Sequence, residues 1–292
     1  MKPAAFDYVR ADSVAHAVQA LAAAGDEAKI IAGGQSLLPM MNFRLVKPSV
    51  LVDINHIAGL AEVRERGGRL VLGALVRHRI TASDPLIRRH IPVLSAAMKH
   101  VAHLTVRNRG TFCGSICHAD PAAEMPMLAL LLNAEIHIAS PRGERGVPAA
   151  DFFVGSLATA LVHDELVTEI EIDTLPAGTG WGFEEFARRH GDYALAAVAV
   201  TLQRRNGVAV DVRIAVMGVG EMAIRLHAVE RVLEGSDLGD ARLDQVVALL
   251  RSEIEPNSDL NASADFRRHL AGGLARRALS DAWGRAKEQI AP

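Results

Sequence analysis

Apolar positions along this chain repeat in two periods, one helical and one alternating, and the two are interleaved throughout its first half. Val14, Ala17, Val18 and Leu21 fall on one helical face, with Asp12 or Ser13 able to cap its start and Gly25 able to end it in the left-handed conformation. A short strand, Lys29-Ile30-Ile31, follows, and residues 50–54 and 69–73 read as further strands. Ser83-Asp84-Pro85 and Ile91-Pro92 mark helix starts ahead of the stretch through Met98. Residues 121–132 predict a largely buried helix, 134–139 a strand that turns at Pro141-Arg142-Gly143, and 166–172 a strand that closes this unit.

Residues 175–180, Leu-Pro-Ala-Gly-Thr-Gly, have the composition of a linker and set the domain boundary: 1–176 before it, 177–292 after. Beyond it, residues 194–203 and 208–216 flank Arg205-Asn206-Gly207, whose Asn-Gly pair predicts a hairpin and so an antiparallel sheet. Residues 226–233, 243–250 and 266–283 carry helical spacing, so the second unit reads as a sheet covered by helices. The fold class is α+β.

Composition narrows the partners. With 32 basic against 34 acidic side chains, no net field gathers nucleic acid or anionic lipid. The apolar run at 125–132 is interrupted by Pro126 and falls well short of the roughly 20 residues of a membrane span. No signal-type leader is read after Met1-Lys2-Pro3, and two cysteines four residues apart suit a reducing compartment, so the expectation is an intracellular, soluble chain.

The candidate chemistry lies in two turns. Ala32-Gly33-Gly34-Gln35-Ser36 leaves the strand at Ile31, and Thr111, Gly114 and Ser115 form a second turn of small and hydroxyl residues that runs toward an apolar helix. Glycine lets a backbone approach a bound group, and free N–H donors at a helix start favour negative charge. Either turn alone is an ordinary connection, but two of the same chemistry point to a diphosphate. Met217-Gly218-Val219-Gly220-Glu221-Met222-Ala223 matches the dinucleotide pattern Gly-x-Gly-x-x-Ala. The parallel strand and acid that pattern needs are missing after it, so it reads as a plain turn. His100, His103, Cys113 and Cys117 have spacing that a zinc clip could use, against a plainer reading of buried thiols and a solvated His pair. Asp120 and Glu124 are first-turn acids or acceptors for ligand hydroxyls, His118 ends a turn, and Tyr193 follows Gly191-Asp192 on an exposed approach.

Residues 32–41, 111–126 and 191–194, in this order and spacing, resemble the FAD-binding medium subunits of the molybdenum hydroxylases, the carbon monoxide dehydrogenase and xanthine dehydrogenase group. The resemblance covers nearly the whole chain. It implies a two-part FAD-binding domain of the vanillyl-alcohol-oxidase (PCMH) type, with subdomains at about 1–57 and 58–176, and a smaller C-terminal α+β domain. It implies that Ile31, Ala32, Gly33, Gly34, Gln35, Ser36 and Leu37, with Thr111, Gly114 and Ser115, wrap the FAD diphosphate. By the same resemblance Glu124 sits where the family has an acid contacting the flavin's sugar-like chain, Val167 lies near the adenine or ring, and Tyr193 lies beside the isoalloxazine; His118 and Asp120 join them as cofactor-binding candidates. No metal ligand and no catalytic acid or base is expected on this chain.

The implied function is electron transfer through FAD. Partners would be a large subunit with molybdopterin and a small subunit with [2Fe–2S] clusters, assembled as a dimer of heterotrimers in the cytoplasm, with peripheral membrane association through the complex left open. A self-contained flavin oxidoreductase of the same fold is the alternative. Substrate and electron acceptor are open at this point. The family's usual second turn is Thr-Ile-Gly-Gly-Asn, so Phe112, Cys113 and Ser115 depart from it, and Glu184 and Glu185 stand where relatives often carry a lysine. Two cysteines are too few for the extra iron–sulfur cluster of one branch.

Overall fold

The computed structural model of the chain describes residues 2–289. Its first elements are β1 (Asp7–Arg10), α1 (Val14–Ala24), β2 (Ala28–Ile31), α2 (Leu37–Asn42) and β3 (Val50–Asp53). Ser13 caps α1 by accepting from the His16 N–H, and the predicted face of Ala17, Val18 and Leu21 is buried. The strands make a parallel sheet in the order β1-β3-β2, with Arg10, Asp53 and Ile31 level with one another at the carboxyl ends. Loops that leave the carboxyl edge of a parallel sheet are where such sheets bind ligands.

The second part contains β4 (Val63–Arg66) and β5 (Arg69–Gly73), then six short helices. These are α3 (His78–Ser83), α4 (Pro85–His90), α5 (Pro92–Ala97), α6 (Leu104–Arg109), α7 (Phe112–His118) and α8 (Glu124–Leu131). β6 (Glu135–Ser140), β7 (Gly143–Pro148), α9 (Ala149–Phe152), β8 (Phe153–Gly155), β9 (Ala158–Thr159) and β10 (Leu166–Asp173) complete it. Five of these strands form an antiparallel sheet in the order β4-β5-β10-β6-β7, so the closing strand sits at its centre. Asp84 caps α4 through the N–H groups of Leu86 and Ile87, with Pro85 at the first helical position as its sequence predicts.

β11 (Gly180–Ala187), β12 (Ala194–Arg205), β13 (Val208–Met217) and β14 (Ile224–Arg225) form the last sheet. It is covered by α10 (His227–Leu233), α11 (Asp240–Glu253) and α12 (Ala264–Arg285), and β15 (Glu288–Gln289) adds to β12. Asn206 and Gly207 both have positive φ, 51° and 78°, which is the hairpin their pairing predicts. β12 is buried from Ala194 through Gln203 because it has two cores to serve. Ala197 and Ala199 belong to the core shared with the first two parts, and Ala196, Val198, Val200 and Leu202 pack with the covering helices. The strand is therefore a continuous apolar run rather than an alternating one.

Two expectations are corrected. The second glycine-containing turn is helical: α7 runs from Phe112 to His118, because Phe112, Cys113 and Ile116 bury one face and Thr111 caps it. The following helix begins at Glu124 instead of 121, since Asp120 Oδ1 accepts the Ala122 N–H at 2.9 Å and holds residues 120–123 in a turn. The Gly218-containing segment joins β13 to β14, which pair antiparallel, so the parallel crossover of a dinucleotide-binding unit is absent among the described residues.

Candidate functional site

The first glycine loop leaves β2 at the carboxyl edge of the parallel sheet. Gly34 has φ +71°, and its carbonyl accepts the Leu38 N–H at 3.1 Å, which turns the chain into α2. Gln35 folds back to donate to the Gly33 carbonyl at 3.3 Å, while Ser36 and Leu37 open α2 without a side-chain cap. Gly33 is where the loops meet. A Cβ on it would lie 2.5 Å from the Arg109 carbonyl oxygen and 2.8 Å from the Gly110 Cα. Gly110 in turn has no room for a side chain, because a Cβ there would lie 2.7 Å from the buried His78 ring.

A polar strut crosses the same gap. Asn55 donates from Nδ2 to the Ala32 carbonyl at 2.8 Å and, more weakly, to the Ile31 carbonyl at 3.4 Å. Its Oδ1 accepts from Arg77 at 2.5 Å, and the other Arg77 amine donates to the Arg109 carbonyl. Asp53 Oδ1 accepts from the Asn55 side chain at 2.6 Å and from its backbone N–H at 2.8 Å, and Asp53 Oδ2 accepts from the Tyr8 hydroxyl. Desolvation works against the Asp53 charge, but the bonds from Tyr8 and Asn55 and the nearby His56 hold its carboxyl below the usual range. Asp53, Asn55 and Arg77 were not among the candidates from sequence. Asp53 ends β3, which pairs in parallel, and Asn55 lies just past it, and that position was the available signal for these two; Arg77 follows the antiparallel β5 and carried no such signal.

Thr111 begins the second element. It is buried, its Oγ1 accepts the Gly114 N–H at 3.1 Å, and its carbonyl accepts the Ser115 N–H at 3.1 Å. The Phe112 N–H donates to the Val76 carbonyl at 2.9 Å, and the His78 N–H to the Gly110 carbonyl at 3.0 Å. Several donors at this helix start are thus used inside the protein, and what faces the first loop is the carbonyl edge of 109–110 with Thr111 behind it. Gly114 is required locally, since a Cβ would lie 2.5 Å from Thr111 Oγ1. Cys113 takes an ordinary helical conformation, so its departure from the family glycine brings no backbone strain.

The structure brings Asp120, Glu124 and Tyr193 into electrostatic reach of one another. Burial, then the Asp120 charge, pushes Glu124 up to about 7, and desolvation, then Asp120 and Glu124, pushes the Tyr193 phenol upward. Tyr193 keeps most of its surface exposed, at 66%. His118 is the last residue of α7, before the left-handed Ala119. Val167 is a core residue of β10 registered with Ile138 of β6, and its side chain is buried.

The zinc reading fails. His100 packs on the Phe183 ring at 5.1 Å and His103 lies against Gly191, while Cys113 is a buried and Cys117 a half-buried free thiol. No cluster of three or more His, Cys, Asp or Glu residues suited to a metal exists among the described residues. No described helix is long and apolar enough to cross a membrane.

Comparison with known proteins shows the family and the fold. Residues 4–174 match the FAD binding domain in molybdopterin dehydrogenase, and residues 181–282 match the CO dehydrogenase flavoprotein C-terminal domain. The chain is 42% identical to the 6-hydroxypseudooxynicotine dehydrogenase complex subunit alpha of Paenarthrobacter nicotinovorans, over 98% of this chain and 97% of that one. It is 37% identical to the carbon monoxide dehydrogenase medium chain of Hydrogenophaga pseudoflava, over 98% and 99%. Its fold superposes on a carbon monoxide dehydrogenase structure from Hydrogenophaga pseudoflava with a TM-score of 0.96, at 38% identity, covering 98% of this chain and 100% of that one. It also superposes on quinoline 2-oxidoreductase from Pseudomonas putida 86 with a TM-score of 0.92, at 41% identity, covering 98% and 99%.

Proposed function

The chain belongs to the family of FAD-binding subunits of molybdopterin dehydrogenases, and on that premise we propose that it grips one FAD diphosphate between residues 31–37 and 111–115 and relays electrons through it. The observation that carries this reading is the seating of Gly33 on Arg109–Gly110, which brings two separate small-residue segments together at one sheet edge. The residues fit the cofactor: bare backbone for a diphosphate on one side, and hydroxyl acceptors at Asp120 and Glu124 on the other. Bound FAD supplies the electron storage, filled from [2Fe–2S] clusters on a small partner subunit and emptied to an external acceptor. The chain's own part is to hold, orient and set the local polarity, and this role asks for no nucleophile or general base.

The domain division proposed here runs through residues 175–180, supported by family matches that stop at 174 and resume at 181. A molybdopterin-bearing large partner and a dimer of heterotrimers complete the proposed assembly. The relatives at 40–42% identity are named for 6-hydroxypseudooxynicotine, nicotine and caffeine, which favours an N-heterocycle or a related amine as the substrate of the large partner. The test is to purify the chain with its native partners, measure flavin, molybdenum and iron per protomer, and assay a panel of such substrates. Gly34→Asp should abolish FAD retention by placing a carboxylate at the diphosphate. Gly34→Asn carries the same strain at this positive φ without the charge, so a loss confined to Gly34→Asp reports charge. Unchanged flavin content would overturn the placement of the first loop.

A further inference from the structure

Alternate residues of β11 serve opposite sides of the last sheet. Gly182 lies against Ala278 of α12, and Glu184 pairs with Arg277 of the same helix at 2.8 Å. The intervening residues therefore turn toward the FAD-binding part, where Phe183 joins the shared core and meets the His100 ring. Glu185 is on that inward side. It is registered with Ala197 of β12, and Ala197 with Met217 of β13, so its neighbours across the sheet are apolar. Its Oε2 is buried with no hydrogen-bond partner.

The groups that face Glu185 are acidic. Glu124 comes from the start of α8 and acts on it directly, and Asp120 and the Tyr193 phenol lie within reach of Glu124. His100, on the α5 side, interacts with Glu184 rather than with Glu185. No described cation acts on Glu124 or Glu185. Burial, then the Glu124 charge, pushes Glu185 up to about 8, above the value of about 7 at Glu124. Desolvation without a counter-charge disfavours ionising both carboxyls together.

Resting on the FAD reading above, we propose that Glu185 is a flavin-pocket residue: with Glu124 it binds the neutral sugar-alcohol part of FAD, whose hydroxyls complete the unpartnered Oε2. A polyol both donates and accepts, so it matches a neutral carboxyl beside a charged one. A diphosphate next to the same pair would be repelled, which keeps that group at the glycine loops and fixes the direction in which the dinucleotide lies.

The experiment strips FAD from the complex as purified and titrates it back between pH 6 and 9, reading bound flavin after ultrafiltration. Loss of one proton at about 8 should weaken retention about tenfold from pH 7 to 9. Glu185→Gln keeps a neutral hydrogen-bonding group and should change less than about twofold over that range. Should Glu185→Gln fail to fold, as read by circular dichroism, Glu124→Gln removes the charge that acts on Glu185 and should move the fall in retention to lower pH. A flat wild-type profile, or a variant that keeps the wild-type profile, overturns this proposal alone. Failure of the wild-type complex to take up FAD at any pH would overturn the function proposed above instead.

Discussion

Gly33 and Arg109, seventy-six positions apart, touch backbone to backbone, with space for a hydrogen and no more between the Gly33 Cα and the Arg109 carbonyl. This contact fixes the distance between the two segments proposed to hold the FAD diphosphate. Gly33→Ala should therefore separate them, because the opposing atoms are main chain and cannot rotate away. We expect loss of most bound FAD and a destabilisation of about 1–3 kcal/mol, read as flavin-to-protein ratio and thermal midpoint. Gly273→Ala is the control: it is exposed in α12 with nothing within 4 Å of the added methyl, and it should stabilise by about 0.5–1 kcal/mol with flavin unchanged.

Asn55→Ala removes the strut from both ends. The Ala32 carbonyl loses its donor and Arg77 loses its acceptor, while the sheets and cores are untouched. The expected outcome is a folded protein with FAD affinity lower by about tenfold or more, measured by flavin titration. Arg77→Lys should behave similarly, since a single ammonium cannot serve Asn55 and the Arg109 carbonyl in the geometry of a fork.

His78 gives the acid limb of stability. It is buried, and desolvation, then Arg107, lowers it to about 4 from 6.5. Between these values the unfolded chain binds the proton and the native one does not, so stability rises with pH there and is lost as pH falls from 6.5 to 4. The loss is roughly 3 kcal/mol at most, because a tenfold difference in proton affinity between the two states corresponds to about 1.4 kcal/mol. His78→Gln should remove that component from the pH dependence of chemical denaturation. An unchanged slope would show that the imidazole is not the group responsible.

Cys113 and Cys117 should be inert in the folded protein. Burial raises the Cys113 thiol well above its ordinary range and pushes Cys117 up to about 12, so little thiolate exists at neutral pH. Labelling by a thiol reagent at pH 8 should be slower than in denaturant by about a hundredfold. A chelator should leave the melting temperature unaltered, in line with the absence of a metal cluster among the described residues.

Much of the architecture was legible because it is local. Ser13, Asp84 with Pro85, and Asn206-Gly207 each act within a few residues through caps and turn angles that their own chemistry dictates. Residues 112–118 were misread because Gly114 and Ser115 resemble loop residues by type. The helix forms because its other positions bury a face and Thr111 supplies a cap, and a single segment does not reveal either partner. Asn55 and Arg77 stayed hidden for a related reason: they hold carbonyl oxygens, which every residue has, so nothing in the sequence marks which ones are held.

By itself, then, the chain's order of residues determined which pieces are chemically suited to an anion, the strand into Gly33-Gly34 and the Thr111 segment, and which to ligand hydroxyls, the acids at Asp120 and Glu124. Tertiary structure alone decided that Gly33 seats on Arg109–Gly110, that Glu185 lies within electrostatic reach of Glu124, and that the His and Cys residues of the apparent clip form no metal cluster among the described residues. The physical reason is range. Capping, turn angles and side-chain period act over a few bonds, whereas the close approach of two backbones and the desolvation of two carboxyls exist only once distant segments have packed.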